Sequence, residues 1–182
     1  VFISHLHYDH CCNIELFESA EIIVSRQELE YVLSYEYKKY SDPYVPLAIV
    51  KYFSDRFRTV EDKDEIVEGI KVMLLPGHTP GSAGLLLENE KILMAGDAVK
   101  NAWDFSNNIP PREIYDGNKG LENYDKIREK VNIIVPGHGR PFNLLNGKVE
   151  YVDDYNYTEI KLYPNYEHLN NLNERIYQRV IL

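Results

Sequence analysis

The stretch Val1-Phe2-Ile3-Ser4-His5-Leu6-His7-Tyr8-Asp9-His10 places three imidazoles and a carboxylate within six residues, directly after a short apolar run. Val1 to Ile3 reads as a strand that ends in a loop. His5 and His7 are two apart, so on extended backbone both rings project from one face and can hold one metal together. Asp9 and His10 come next, where the chain must turn, and a turn aims them beside the first pair at a second metal. Adjacent Cys11 and Cys12 do not suit an unstrained disulfide or a zinc knuckle. They read as small buried thiols at the start of a helix, with a reactive or metal-adjacent thiol as the alternative.

Further along, three more ligand-type residues each follow an apolar strand and a glycine: His78 in Leu75-Pro76-Gly77-His78-Thr79-Pro80-Gly81, Asp97 in Met94-Ala95-Gly96-Asp97-Ala98, and His138 in Val135-Pro136-Gly137-His138-Gly139. Glycine allows a sharp turn and a close backbone approach. Five of the six histidines thus fall at strand ends with two aspartates in matching places. A merely hydrogen-bonded polar cluster would give five imidazoles no reason to converge. His168 lies outside the pattern and reads as a surface residue.

Between these points the chain alternates strands and helices. Ile22 to Val24 is a compact β-branched strand, and Ser25 with Glu28 three residues later forms a capping box for a helix beginning at Arg26. Pro43 and Pro46 interrupt the helical pattern, so residues 26 to 57 are expected to hold two tyrosine-rich helices, with Leu29, Val32 and Leu33 as an apolar stripe. Strands are expected at Glu65–Val67, Ile70–Leu75, Ala83–Leu87, Ile92–Ala95 and Asn132–Val135, with a helix over Leu121–Val131 whose Arg128 points to solvent. Beyond residue 142 the signals weaken: a strand at Val149–Val152 and a closing helix over Glu167–Val180 are the readings. The pattern is α/β with antiparallel hairpins in a layered sandwich.

The 182 residues suit one domain, 1–182, with the motifs in 1–142 and an extension over 143–182. Lys plus Arg number 20 against 29 Asp plus Glu, a formal charge of -9 that disfavours nucleic acid as a partner. No apolar run approaches the roughly 20 residues of a membrane span, so a cytoplasmic, membrane-free protein is expected.

The HxHxDH run His5-Leu6-His7-Tyr8-Asp9-His10, followed in order by His78, Asp97 and His138, resembles the metallo-β-lactamase-fold hydrolase superfamily over residues 1 to about 142. The resemblance implies a four-layer αββα sandwich with a metal site at one edge of its sheets. It also implies strands ahead of HxHxDH, so the fold is expected to be N-terminally incomplete at Val1. Carried over residue by residue, His5, His7 and His78 look like ligands of a first metal, Asp9, His10 and His138 of a second, and Asp97 like the bridging carboxylate. Relatives with redox di-iron carry Glu at the place of His7, so the expected cofactor is two zinc ions, iron or manganese being able to occupy similar sites. The implied chemistry is hydrolysis by a zinc-bound hydroxide, with Asp9 orienting the nucleophile and moving its proton.

For substrate, Ser4 to Asn13, the helical segment at 26 to 57 and Gly96-Asp97-Ala98 look most like the N-acyl homoserine lactonase branch, which implies a small-molecule lactone. Well-known members carry Tyr three residues after the bridging Asp. Lys100 stands there in this chain, either solvated or touching a substrate oxygen, and Tyr8 is a candidate substitute for the missing Tyr. Trp103 and Phe105 either wall an apolar acyl pocket or anchor their loop. A glyoxalase II-like thioesterase uses the same seven ligands and is the competing enzyme reading. A non-catalytic metal-binding module is the reading from another class. The tyrosine-rich helices leave a homodimer interface open.

Overall fold

The structure is a computed structural model that describes residues 1–34, 42–111, 115–145 and 148–152, together with the backbone of two short strands near the C-terminus. Contacts divide the chain into two units, Val1–Val152 and Asp153–Leu182. In the second unit the described residues are β10 (Thr158–Glu159) and β11 (Arg179–Val180), an antiparallel pair. The helix expected over Glu167–Val180 is therefore corrected at its end, where Arg179 and Val180 pair as a strand. Its remainder, with His168, lies outside the described residues.

In the first unit, Ile22-Ile23-Val24-Ser25 forms β1 (Ile22–Ser25), buried at every position, paired in parallel with β2 (Phe57–Val60). Val1 to Ile3 extends this sheet by one parallel bridge, Phe2 to Ile23, with Ile3 N–H donating to Ile23 O and Ile23 N–H to Val1 O, each at 2.8 Å. The expected strand is thus a single bridged step. β2 corrects the helical reading at Phe57, where the helical segment gives way to strand. Its alternation spans only four residues, too few to outweigh the helical signal before it.

The second sheet has seven strands in chain order: β3 (Glu65–Val67), β4 (Ile70–Leu74), β5 (Ala83–Leu87), β6 (Ile92–Gly96), β7 (Ile133–Pro136), β8 (Phe142–Leu145) and β9 (Lys148–Tyr151). Every neighbouring pair is antiparallel except β6 and β7. A parallel pair needs a crossover. It is supplied by α4 (Ala102–Ser106) and α5 (Gly117–Lys130). α5 starts before the expected Leu121 because Asp116 accepts from Asn118 N–H at 3.0 Å and Lys119 N–H at 3.3 Å, capping a first turn of weak helix formers.

Side-chain alternation on the strands sorts the core into layers. Met73, Leu75, Leu93, Ala95, Ile134 and Phe142 pack from the large sheet against Phe105, Tyr124 and Ile127 of the crossover helices. Val72 and Ala83, on the opposite face, meet Ile23 and Val60 of the small sheet. Ile22 and Val24 then face Tyr31, Val32 and Val50 on α2 (Arg26–Leu33) and α3 (Leu47–Tyr52). The order is helix, sheet, sheet, helix, as expected for an α/β four-layer sandwich. Among the described residues, α2 and α3 stand where two helices were expected over 26 to 57. Tyr35, Tyr37 and Tyr40 lie outside the described residues. Arg128 is not simply solvated: its guanidinium lies 4.6 Å from the Phe105 ring centre and donates to Phe105 O at 2.9 Å.

Candidate metal centre

The HxHxDH segment divides its candidate ligands by changing conformation. Ser4 O accepts from Ala83 N–H at 2.9 Å, which anchors the segment to the start of β5. His7 is the extended cap of a one-turn helix, α1 (Tyr8–Cys11), so His5 and His7 precede the turn while Asp9 and His10 ride on it. Cys11 is buried and Cys12 half-buried at the end of this turn rather than at its start, and burial pushes the Cys11 thiol up to about 12. The remaining ligand residues come from strand ends. Asp97 follows β6 and His138 follows β7, brought together by the parallel pairing of those strands.

Three overlapping sets result: His5, His7 and His78; His5, His10 and Asp97; and Asp9, His10 and His138, the ligand atoms of each set lying within 4.8 Å of one another. Asp97 Oδ2 is 3.6 Å from His78 Nε2 and 3.3 Å from His138 Nε2, and its Oδ1 is 3.3 Å from His10 Nε2. Asp97 therefore faces both outer sets. The first set is wholly buried, whereas Asp9 and His138 are exposed, so the second set forms the open side of the cluster.

Two glycines make this convergence possible. A Cβ on Gly137 would collide with Asp97 Oδ1, and one on Gly96, whose φ is +52°, would lie 2.6 Å from Ser4 Oγ. Only glycine fits both places.

The donor atoms suit a cation. His5 Nε2 is buried without a hydrogen-bond partner, and His10 Nε2 and Asp97 Oδ1 are buried 3.3 Å apart without hydrogen-bond geometry between them. Burying a polar atom unsatisfied costs about 1–3 kcal/mol, which a bound ion removes. Burial, then the charges of His10, His7, His78 and His138, hold His5 well below its ordinary pKa, leaving a lone pair to donate. Burial also opposes a charge on Asp97, but His10, His78 and His138 outweigh it and hold the carboxyl below its usual range. Burial likewise opposes charge on His10, yet Asp97 and Asp9 raise it. Nitrogen donors supplemented by carboxylates fit zinc and its borderline neighbours.

Two carboxylates behind the ligands have no motif of their own. Asp42 accepts from Tyr31 Oη–H at 3.1 Å and Tyr44 N–H at 3.0 Å, and its Oδ2 lies 3.1 Å from His7 Nε2. A carboxylate only accepts, so Nε2 carries the proton and the His7 lone pair is on Nδ1, which faces His78 Nε2 at 3.1 Å. Burial works against the Asp42 carboxylate, but His7, Tyr44 and Tyr31 lower its pKa. Glu28, read from sequence as half of a capping box, has its amide on Ser25 Oγ as expected at 3.1 Å. Its carboxylate turns inward instead.

Of the expected substrate contacts, Lys100 Nζ is 3.7 Å from Asp97 Oδ2, on the cluster's edge. Tyr8 is exposed on α1 with its ring 6.3 Å from that of Tyr44. Trp103 is 69% exposed on α4. Phe105 takes the second of its two readings: at 1% exposed it packs against Tyr124 and Phe142 at ring separations of 4.7 and 5.7 Å and anchors the crossover.

The sequence profile of the metallo-beta-lactamase superfamily matches residues 1–138. The chain belongs to that superfamily. Within it, an N-acyl homoserine lactonase of a Bacillus species is 31% identical over 134 residues, 72% of this chain and 50% of that protein. The enzyme AiiA of Bacillus thuringiensis subsp. kurstaki, also an N-acyl homoserine lactonase, is 28% identical over 145 residues, 76% of this chain and 54% of its own length. A solved N-acyl homoserine lactone hydrolase, with N-hexanoyl-L-homoserine at its catalytic metal centre, superposes with a TM-score of 0.62 at 28% identity, over 76% of this chain and 54% of that one. A dizinc quorum-quenching lactonase at 18% identity shares the fold, with a TM-score of 0.67 over 84% of this chain and 63% of its own. The chain spans about half the length of the curated relatives it matches.

Proposed function

We propose that the chain carries a dinuclear metal-dependent hydrolase centre that opens an ester bond, with a lactone as its substrate. The convergence of two ligand sets on Asp97 supports this reading most directly. Two divalent ions, zinc first, would supply the Lewis acidity that acidifies a water and polarises a carbonyl. His5, His7 and His78 would hold one ion, Asp9, His10 and His138 the other, and Asp97 both. Asp9, 3.3 Å from His138 Nε2 and 38% exposed, would orient the attacking water and pass its proton to the leaving alkoxide. Lys100 would donate to a substrate oxygen on the open side. Tyr8 and Trp103 offer exposed aromatic surface to an acyl group. The similarity to N-acyl homoserine lactonases favours a lactone over a thioester.

The test is hydrolysis by the zinc-loaded chain of a matched panel of N-acyl homoserine lactone, aryl ester and thioester. Faster opening of the lactone than the thioester is expected. Thioester cleavage alone would point to the glyoxalase II-like reading, and bound zinc with no turnover to a metal-binding module.

A further inference from the structure

Glu28 is completely buried on the first turn of α2, outside both ligand sets, and it accepts from two segments far apart in the chain. Its Oε1 takes the Leu6 N–H at 2.9 Å, and Leu6 is the residue between His5 and His7. Its Oε2 takes the Thr79 Oγ1–H at 2.6 Å and the Gly81 N–H at 3.1 Å, from the loop that carries His78. A buried carboxylate is tolerated only when such donors satisfy it, so Glu28 and the two loops constrain one another. The fit is tight as well as polar. A Cβ on Gly81 would collide with the Glu28 amide, and Ser25 Oγ donates to Gly81 O at 2.5 Å, seating the His78 loop directly on the start of α2. The contacts of the Glu28 carboxylate all reach the segments bearing His5, His7 and His78. Asp9 and His10 are carried instead by α1, and His138 by the end of β7.

We infer that Glu28 is a positioning residue for the buried ion alone: it sets the His5 and His7 segment against the His78 loop, and so fixes the affinity of that ligand set while leaving the open set nearly untouched. The inference rests on the dinuclear reading of the site. Glu28→Gln preserves volume but turns an amide nitrogen toward donors or removes an acceptor from Leu6, so one loop loses its anchor. Zinc binding is measured by chelator competition in two backgrounds. His138→Ala weakens the open set and leaves the buried one, and His78→Ala does the reverse. Glu28→Gln is expected to weaken zinc about 10–100-fold in the His138→Ala background, the range typical of groups supporting metal ligands, and less than about 3-fold in the His78→Ala background. Equal weakening in both, or none in either, would overturn the inference, since a general loosening of the fold would not distinguish the two ions.

Thr79→Val guards against failure of Glu28→Gln to fold. It removes one donor to Glu28 at almost constant volume, and weakening of about 10-fold in the His138→Ala background alone is expected. The same weakening in both backgrounds, or no change, contradicts the proposal. If the unsubstituted chain binds no zinc, the dinuclear reading itself fails. If it binds two and these variants do not discriminate between them, only the role of Glu28 fails.

Discussion

Asp97 Oδ1 occupies the place where a side chain on residue 137 would begin, so the carboxylate and the glycine define each other. Gly137→Ala is expected to displace Asp97 and reduce bound metal, read by elemental analysis of the dialysed protein; full metal content would show that the loop yields without cost. Asp42→Asn replaces the acceptor that holds the His7 proton on Nε2. Zinc affinity is expected to fall about 10–100-fold by chelator competition, and an unchanged value would remove Asp42 from the centre. At this scale the convergence of the seven candidate residues was legible because their signals are local: a two-residue spacing on extended chain, then glycine and a His or Asp at each strand end. Asp42 and Glu28 were not. Each reaches its target from a distant segment, 35 residues from Asp42 to His7 and 22 from Glu28 to Leu6, and no local spacing records such a reach. The choice between the two readings of Phe105 was open for a related reason, since one turn of helix turns Trp103 outward and Phe105 into the core.

Among the elements, α5 joins the parallel strands that bring Asp97 beside His138. Its cap on Asp116 makes the start of the helix testable. Asp116→Ala is expected to cost about 1 kcal/mol in urea unfolding, and no measurable loss would mean that tertiary packing alone fixes that turn. Phe105→Ala should cost about 3–5 kcal/mol by the same measurement, the scale of deleting a buried aromatic ring. A loss below about 1 kcal/mol would return Phe105 to the surface of a pocket. Strands β4 to β7 were legible as nearly unbroken apolar runs closed by turn residues, and α5 because its apolar stripe repeats over several turns. β2, β8 and α4 were not, since Phe57-Arg58-Thr59-Val60, Phe142-Asn143-Leu144-Leu145 and Ala102-Trp103-Asp104-Phe105-Ser106 mix polar and apolar residues over too short a span to show a period. At Arg179 and Val180, pairing with Thr158 and Glu159 decides the strand, a contact that local sequence does not contain.

Across the whole molecule, the ligands come from segments between residue 5 and residue 138, so binding an ion ties together parts of the chain that unfolding would separate. Metal should therefore stabilise the fold by mass action, about 2.7 kcal/mol at free zinc one hundred times the dissociation constant. A chelator is expected to lower Tm, and an identical Tm with and without zinc would show that the cluster holds no ion in the native state. The formal charge of -9 set a coarser limit on function. It disfavoured a nucleic-acid substrate that the ligand motif alone leaves open, while leaving the leaving group undecided.

The most direct measurement is the initial rate of lactone opening as zinc is titrated into the metal-free chain. The rate should rise from zero and saturate at two zinc ions per chain; full turnover without metal, or none at saturating zinc, would contradict the account.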